Sequence, residues 1–341
     1  MDSLISIIIV NYNGKKWLKK LFDSLLCQTY KNFEIIFVDN NSSDDSIEFL
    51  EKNYKDKRIK IIKSIENSGF AGGNNIGIKE ARGEYLYLLN NDTWVEKDII
   101  EKTIKFFEKS DKIATIQTKI QLMNEDNKID SAGSFWSNST LLYHYGTNKD
   151  SNLEKYNEKY KVFTTKAASV FIRKSVLDEI GAFDDDFWAY YEETDLNHRM
   201  WIAGYECWYY PVSTCYHANG GTSLTFSNDI IQFHNFKNKI MSFIKNFEFF
   251  YLFYILLIHI TIMILLSLVW LIKGKYKHSL SLYKAIWWNI VNINKNIKKR
   301  TTIQSYRKVS DKEINKIVLR EPSLDYYFKL LNLQLEKYLD K

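Results

Sequence analysis

An α/β fold, with a mostly parallel sheet flanked by helices, is predicted by three features of this 341-residue chain. Short apolar runs recur, helix-patterned segments lie between them, and the runs end in polar residues. Ile5 to Val10 is apolar apart from Ser6 and does not alternate, as a parallel strand covered on both faces should be. Trp17, Leu18, Leu21, Phe22 and Leu25 then recur three and four apart, which predicts a helix. Glu34 to Val38 is the second run. Asp44 to Asn53 follows a Ser42-Ser43 cap, carries Ile47, Phe49 and Leu50, and predicts the second helix. Ile59 to Lys63 and Tyr85 to Leu89 complete a set of four strands whose helical connections imply right-handed crossovers. Residues 115 to 165 show no clear period. Ala167 to Ile172 is a further strand, and Arg173 to Ile180 a helix ended by Gly181. A helix is expected near Asp195 to Ala203, closed by Gly204. A short strand at Cys207 to Pro211 then leads to Cys215-Tyr216-His217.

Composition narrows the class. At 45% hydrophobic and 26% charged the chain can bury a core. Two prolines and thirteen glycines exclude collagen-like and linker-like chains. Cys27, Cys207 and Cys215 share no CxxC spacing, so neither a disulfide framework nor a structural zinc is indicated, and a reduced, cytosolic setting fits. A net charge of +6 is too small an excess to indicate nucleic-acid binding. Aromatic residues at 16% point instead to a carbohydrate-facing or membrane-interface surface. Met1-Asp2-Ser3 lacks a basic n-region, so the start does not read as a secretory signal.

The strand ends carry the candidate chemistry. The first ends in Asn11-Tyr12-Asn13-Gly14, the second in Asp39-Asn40-Asn41 and the fourth in Asn90-Asn91-Asp92. Polar groups thus gather at the carboxyl edge, where open α/β sheets bind ligands, although each is also an ordinary turn sequence. Neither GxxxxGK[ST] nor GxGxxG nor GxSxG is present. Asp92 reads either as a cap for a helix near Glu96 or as a ligand for a hard divalent cation shared with a diphosphate. His217, in Tyr216-His217-Ala218-Asn219-Gly220-Gly221, is either structural or the second ligand. Glu192, Glu193 and Asp195 sit where a helix begins, so they suit its dipole and an Asp195–Arg199 pair. Three carboxylates in four positions also raise the pKa of at least one, which favours a general base. Phe187, Trp188, Tyr190 and Tyr191 form either a wall for a sugar ring or core.

These segments together resemble a known family. Ser6-Ile-Ile-Ile-Val-Asn-Tyr-Asn13, Phe37-Val-Asp-Asn-Asn-Ser-Ser-Asp44, Asn67-Ser-Gly-Phe-Ala-Gly-Gly-Asn-Asn-Ile-Gly77 and Leu88-Leu-Asn-Asn-Asp-Thr93 are similar, in order, to the inverting GT-A (Rossmann-like) glycosyltransferases of family 2. Gly181-Ala-Phe-Asp184 with Tyr190-Tyr-Glu-Glu-Thr-Asp-Leu196 resembles its rhamnosyltransferase-like branch, which works in cell-surface polysaccharide biosynthesis. The resemblance spans about residues 4 to 225. It implies a nucleotide-sugar donor, a glycan or lipid-linked acceptor, and Mg²⁺ or Mn²⁺. Donor contacts are then expected at Asn11, Tyr12, Asp39, Asn67, Gly69, Asn74, Asn91 and Asp92, and metal ligands at Asp92 and His217. Glu193 stands at the catalytic base position with Glu192 beside it, and Trp188, Tyr191 and Asp195 lie toward the acceptor. Two departures are visible. The family's DXD is Asn90-Asn91-Asp92 here, with one carboxylate. Its Glu-Asp pair is Glu192-Glu193, whose base is a methylene longer, and a misplacement of about an ångström can matter by roughly 10²-fold.

Residues 1–228 are thus expected to form the catalytic domain, and 229–341 a helical region outside the resemblance. Phe249 to Ile272 holds no formal charge over twenty-four residues, roughly 36 Å of helix. It is expected to contact membrane lipids, the alternative being a helix buried on the catalytic domain. An enzyme using nucleotide-sugars is expected to face the cytosol, and three Lys/Arg in 229–248 against eight in 273–300 would place the tail there as well. One crossing cannot satisfy that, so peripheral or monotopic attachment to the cytoplasmic face is preferred over an integral span. The Trp287-Trp288 segment is expected at the interface, with Lys295, Lys298, Lys299 and Arg300 on anionic lipid. A homo-oligomer is compatible with the sequence. The competing functions are nucleotidyl transfer to a sugar phosphate, for which Asn13-Gly14-Lys15-Lys16 would be the phosphate loop, and a catalytically degenerate sugar-binding protein.

Overall fold

A computed structural model describes residues 3–218 and 227–327. Asn219, Gly220 and Gly221 of the His217 context lie outside the described residues. The four expected strands form β1 (Ile5–Asn11), β2 (Phe33–Asp39), β3 (Ile59–Lys63) and β4 (Tyr85–Leu89). β1 pairs in parallel with both β2 and β4, and β2 with β3. Helix α1 (Lys15–Leu26) buries Leu18, Leu21, Phe22 and Leu25 against the sheet, as the spacing predicts. Helix α2 (Ser46–Asn53) starts later than expected, because Asp44 rather than the Ser42-Ser43 pair meets its first amide, at 3.2 Å from Ser46 N.

Beyond β4 the chain departs from the prediction. Asp92 caps no helix: β5 (Thr93–Val95) follows it, and α4 (Ile99–Phe107) begins after Asp98. The unread tract contains β6 (Ile113–Leu122), β7 (Ile129–Ser131), β8 (Ser134–Trp136), β9 (Leu142–His144) and β10 (Tyr160–Lys161). Strand β11 (Ser169–Arg173) runs antiparallel between β4 and β6. Helix α5 (Lys174–Ile180) ends at Gly181, and α6 (Glu192–Ile202) begins three residues before the expected start. Cys207–Pro211 and Cys215–His217 are one strand, β12 (Glu206–His217), parallel to β6 with an irregular register between Tyr209 and Thr214. The sheet order is β10-β12-β6-β11-β4-β1-β2-β3.

The glycine-rich segment is helix α3 (Gly69–Glu80), which no apolar period announced. Its first residue must be glycine: φ is +73°, and a Cβ would stand 2.1 Å from Trp188 O. That carbonyl accepts a hydrogen bond from Phe70 N at 2.7 Å, so the start of α3 and the aromatic segment before α6 are held together.

The C-terminal region packs on the catalytic unit through α7 (Asn228–Asn246), α8 (Phe249–Ile272), α9 (Tyr276–Val291), α10 (Ile293–Ser305) and α11 (Asp311–Val318). Met241, Phe243, Phe247, Ile255, Ile303, Ile314 and Val318 join one core with Leu86, Phe187 and Leu196. Helix α8 buries a single stripe, Ile255, His259, Met263, Leu266, Ser267 and Trp270. Phe250, Phe253, Leu257, Leu265, Leu268 and Ile272 are exposed. Helix α9 folds back on it, with Ser267 and Ser279 hydroxyls 2.7 Å apart, and is tied to α7 by Asn289 Nδ2 donating to Lys237 O at 3.0 Å. The basic cluster is not free for anionic lipid as expected. Lys295 and Lys299 bind Asp184 and Asp186, and Arg300 donates to the carbonyls of Ile244 and Phe247, because carboxylates a hundred residues upstream reach them first. Lys298 remains exposed.

Candidate active site

Strand ends β1, β2 and the β4–β5 turn meet at the carboxyl edge. Asn11 Nδ2 donates to Asp39 Oδ1 at 3.1 Å, and Asp39 Oδ2 accepts Ser42 N at 3.0 Å. Asn91 Nδ2 donates to Asn11 Oδ1 at 2.8 Å, which ties the first strand end to the Asn90-Asn91-Asp92 turn. Gly14 makes that approach feasible, since a Cβ there would lie 2.1 Å from Asn91 Nδ2. Tyr12 is half-buried beside this group. Asn67 Oδ1 accepts from Asn40 Nδ2 and Gly69 N, both at 2.9 Å, while Asn67 O accepts Trp188 Nε1 at 3.4 Å. Asn67, Gly69 and Trp188, expected on different sides of the site, are therefore neighbours. Asn74 Nδ2 donates to Phe70 O at 2.9 Å within α3, which leaves Oδ1 and the second N–H of its amide outside that bond.

Pairing of β5 with β12 sets Thr93 opposite His217 and so brings Asp92 to it. His217 Nε2 is 3.2 Å from Asp92 Oδ1, and Asn90 Nδ2 is 3.4 Å from the same nitrogen. His217 Nδ1 is 2.8 Å from Asp130 Oδ2. Asp130 also receives Lys166 Nζ on both oxygens at 2.7 Å. Burial opposes the imidazolium, but Asp130 and Asp92 outweigh it and hold His217 above its ordinary pKa. Burial likewise pushes the Asp130 carboxyl up, and the Lys166 ammonium and His217 more than reverse this, leaving it well below the usual carboxylate range. Asp130 and Lys166 were missed from the sequence. Both sit in or beside an unperiodic tract, and the only available signal was an isolated Asp and Lys near short β-rich pieces.

Helix α6 supplies the carboxylates. Tyr190 and Tyr191, with φ of +73° and +71°, turn the chain sharply into it, a strained conformation of the kind that clusters at functional sites. Glu192 is buried, and its Oε2 has no hydrogen-bond partner. Burial first, and Glu193 second, raise its carboxyl well above the ordinary range. Glu193 is only half-buried. Burial raises it too, against backbone N–H groups and the Lys166 charge, which lower it. Asp195, expected toward the acceptor, is turned away: it holds Arg199 Nε at 3.1 Å, Lys245 Nζ at 3.2 Å and Asn246 Nδ2 at 2.9 Å. Tyr191 is buried against Phe243, with ring centroids 6.2 Å apart.

Lys166 joins the two halves. Its charge acts on both His217 and Glu193. Thr165 N and Oγ1 donate to Asn197 Oδ1 at 3.2 and 3.0 Å, and Asn197 Nδ2 donates to Glu193 O at 2.7 Å. Among the described residues no group of three or more His, Cys, Asp or Glu is arranged to enclose an ion. The Asp92–His217 pair fits a hard divalent cation that completes its shell with substrate oxygens: Nδ1–H is committed to Asp130, which leaves Nε2 beside the Asp92 carboxylate.

A folded-state pKa raised above the unfolded value adds stability at low pH that is lost as pH climbs through the folded value. Glu192→Gln is therefore expected to raise Tm at pH 8 and to change it little at pH 4. The gain should be roughly 1–2 °C for each kcal/mol recovered in a chain of this length. Calorimetric melts at the two pH values check it, and a Tm lowered equally at both would mean that Glu192 is a paired, charged group.

The model of the family described as "Glycosyl transferase family 2" matches residues 6–181, just over half of the chain. An uncharacterized glycosyltransferase of Rickettsia felis is 40% identical over 127 residues, 37% of this chain and 21% of the relative. The UDP-Glc:alpha-D-GlcNAc-diphosphoundecaprenol beta-1,3-glucosyltransferase of Escherichia coli is 41% identical over 105 residues, 31% of this chain and 41% of the relative. The chain thus spans less than half the length of either. Among solved structures, GalNAc-T7 with UDP, GalNAc and Mn²⁺ superposes with a TM-score of 0.57 at 18% identity, over 70% of this chain and 47% of that one. The mannosyltransferase of Pyrobaculum calidifontis in complex with GDP-Man and Mn²⁺ gives 0.53 at 14%, over 89% and 84%. At those identities the shared feature is the GT-A-like fold.

Proposed function

The chain belongs to glycosyl transferase family 2, and from that premise we propose that it moves a sugar from a nucleotide-sugar donor to a hydroxyl of a glycan or lipid-linked acceptor, with inversion. Glu193 takes the acceptor hydroxyl proton as that oxygen attacks the anomeric carbon. A new C–O bond forms on one face while the bond to the diphosphate oxygen breaks on the other, so a single displacement inverts the centre. Glu193 is the better base of the pair because it is half-exposed, whereas Glu192 is enclosed. Its raised pKa suits proton abstraction near neutral pH.

Asn11, Asp39 and Asn91 would position the nucleotide, with Asn67 and Gly69 closing the pocket under Trp188. Mg²⁺ or Mn²⁺, held by Asp92 and His217, would neutralise charge on the leaving diphosphate. The observation that supports this reading is a continuous chain of contacts: Asp92 meets His217, His217 meets Asp130, Asp130 binds Lys166, and the adjacent Thr165 bonds Asn197, which donates to Glu193 O. Nucleotidyl transfer is less well supported, since Lys15 of its would-be phosphate loop is engaged by Asp45 at 2.7 Å. A panel of nucleotide-sugars, rhamnosyl donors first, tests the reading by the product released. Nucleoside diphosphate agrees with it, and pyrophosphate contradicts it.

Asp130 supplies the second prediction. Asp130→Asn is expected to weaken activation by Mn²⁺ about 10–100-fold, the usual cost of losing a carboxylate behind a ligating histidine. Titrating activity against Mn²⁺ after EDTA treatment measures it. Full activity in EDTA would instead make His217 structural.

For location, we propose in-plane attachment to a membrane surface. One stripe of α8 is buried on the protein, its opposite face is apolar and exposed, and α9 returns the chain to α7. Lys273 and Lys277 at the turn are exposed and suited to anionic headgroups. Release by alkaline carbonate would agree with this, and protection of residues 295–327 from protease in sealed vesicles would contradict it.

A further inference from the structure

A cavity of about 440 Å³ lies apart from the catalytic residues, within the range of about 300–1,000 Å³ that small-ligand sites occupy. Its walls come from the end of β8 and the turn Ser137–Thr140 that follows, from the first turns of α8, and from α11. Trp136 is buried in it, whereas Phe250 and Tyr254 are exposed, so its mouth opens beside the start of α8. Phe243 packs on Trp136, with centroids 5.7 Å apart, and also on Tyr191. One aromatic layer thus adjoins both this cavity and the turn before α6. None of the residues that line the cavity takes part in the active site described above.

The chemistry of the lining is selective. Trp136, Tyr251 and Tyr254 offer aromatic rings, while Asn138, Thr140 and Asn315 offer amides and a hydroxyl. No described lining residue carries a formal charge, and the Glu321 carboxylate accepts Asn138 N at the rim, which disfavours an anionic ligand. Asn315 Nδ2 donates to Tyr251 Oη at 3.1 Å, which leaves Asn315 Oδ1 outside that bond. Thr140 is the most informative member. Thr140 N donates to Ser137 O at 3.0 Å, and Ser137 Oγ donates to Leu141 O at 2.8 Å, which closes the turn. The turn holds Thr140 at a φ of +63°, rare for a β-branched residue, and leaves it 3% exposed. Its Oγ1 nevertheless has no hydrogen-bond partner among the described residues. Buried hydroxyls are normally paired, so a polar atom of a ligand is what this one lacks.

We propose that this cavity binds a neutral sugar residue, outside the site of transfer. A pyranose ring has apolar C–H faces that match the aromatic rings, and hydroxyls that match the amides and Thr140 Oγ1. A glycan held here is anchored away from the hydroxyl that reacts. Binding requires neither nucleotide nor metal, so it stands or falls separately from glycosyl transfer.

Saturation-transfer NMR on the full chain, in a detergent without a sugar headgroup, provides the test. The probes are the methyl glycosides of glucose, galactose, N-acetylglucosamine and rhamnose, with cyclohexanol as a ring that carries a single hydroxyl. At least one glycoside should bind at millimolar concentration, and more tightly than cyclohexanol. Thr140→Val should weaken that glycoside about three- to tenfold, and Thr140→Ser should stay near wild type. Tyr254→Ala changes an exposed side chain, which spares the fold, and should weaken binding about fivefold or more. Trp188→Ala, on the active-site side, should leave binding as it is. The proposal is overturned if none of the four glycosides binds, or if cyclohexanol binds as well as the best of them. It is equally overturned by a glycoside that is lost in Trp188→Ala but kept in Thr140→Val and Tyr254→Ala, since that outcome puts the sugar in the active site.

Discussion

Glu193→Gln is expected to reduce turnover by about 10²–10⁴-fold, the range for loss of a positioned general base, while donor binding stays near wild type. The substitution keeps the shape and the half-buried setting of the side chain but removes its ability to accept a proton. Asn11, Asp39 and Asn91, the proposed donor contacts, form a separate hydrogen-bonded group and should be undisturbed. Thermal stability should hold or rise, because burial already disfavours the charged form of Glu193. Nucleoside diphosphate release with saturating donor and acceptor measures the effect. Turnover within threefold of wild type would transfer the role to another group.

Lys245→Met carries the largest expected effect on stability, a loss of about 3–5 kcal/mol. Lys245 is 1% exposed and pairs with Asp184 and Asp195, which are 10% and 1% exposed. Burial alone would raise both carboxyls, yet Lys245, with Lys299 at Asp184 and Arg199 at Asp195, holds them below the ordinary range. A depressed folded-state pKa gives stability above the unfolded value near 4, lost as pH falls through the folded one. The deficit of the variant should accordingly be full at pH 7 and shrink in acid. Arg199 and Lys299 remain as partners, which favours the lower end of the range. Urea unfolding at pH 7 checks it, and a change below 1 kcal/mol would mean that those two cations suffice. The same pairs hold residues 184–186, next to the aromatic segment before α6, so the C-terminal helices brace the catalytic turn as well as shielding core.

The first half of the sheet was legible because β1, β2 and β4 are buried on both faces, which writes them as mainly apolar runs interrupted internally only by Ser6 and Glu34. β12 was only half legible: its burial alternates and its register breaks between Tyr209 and Thr214, so it read as two pieces. α3 was hidden because Gly69, Gly73 and Gly77 serve close approach rather than an apolar stripe. Asp92, His217 and Glu193 were singled out from strand-end and helix-start chemistry together with the family resemblance, and the structure sets Asp92 3.2 Å from His217. Asp130 was not found, because what matters about it is an imidazole 87 residues away. The misjudged basic cluster has the same cause. Lys295 and Lys299 look lipid-facing until Asp184 and Asp186 are seen beside them.

Most of the account depends on whether the pair Asp92–His217 and the carboxylate of Glu193 face one bound donor. A crystal structure of the chain with a nucleoside diphosphate and Mn²⁺ measures this directly. The ion is expected on Asp92 and His217, the diphosphate against it, and the Glu193 carboxylate across an open space wide enough for a sugar ring. An ion bound elsewhere, or Glu193 separated from the diphosphate by packed protein, would contradict it.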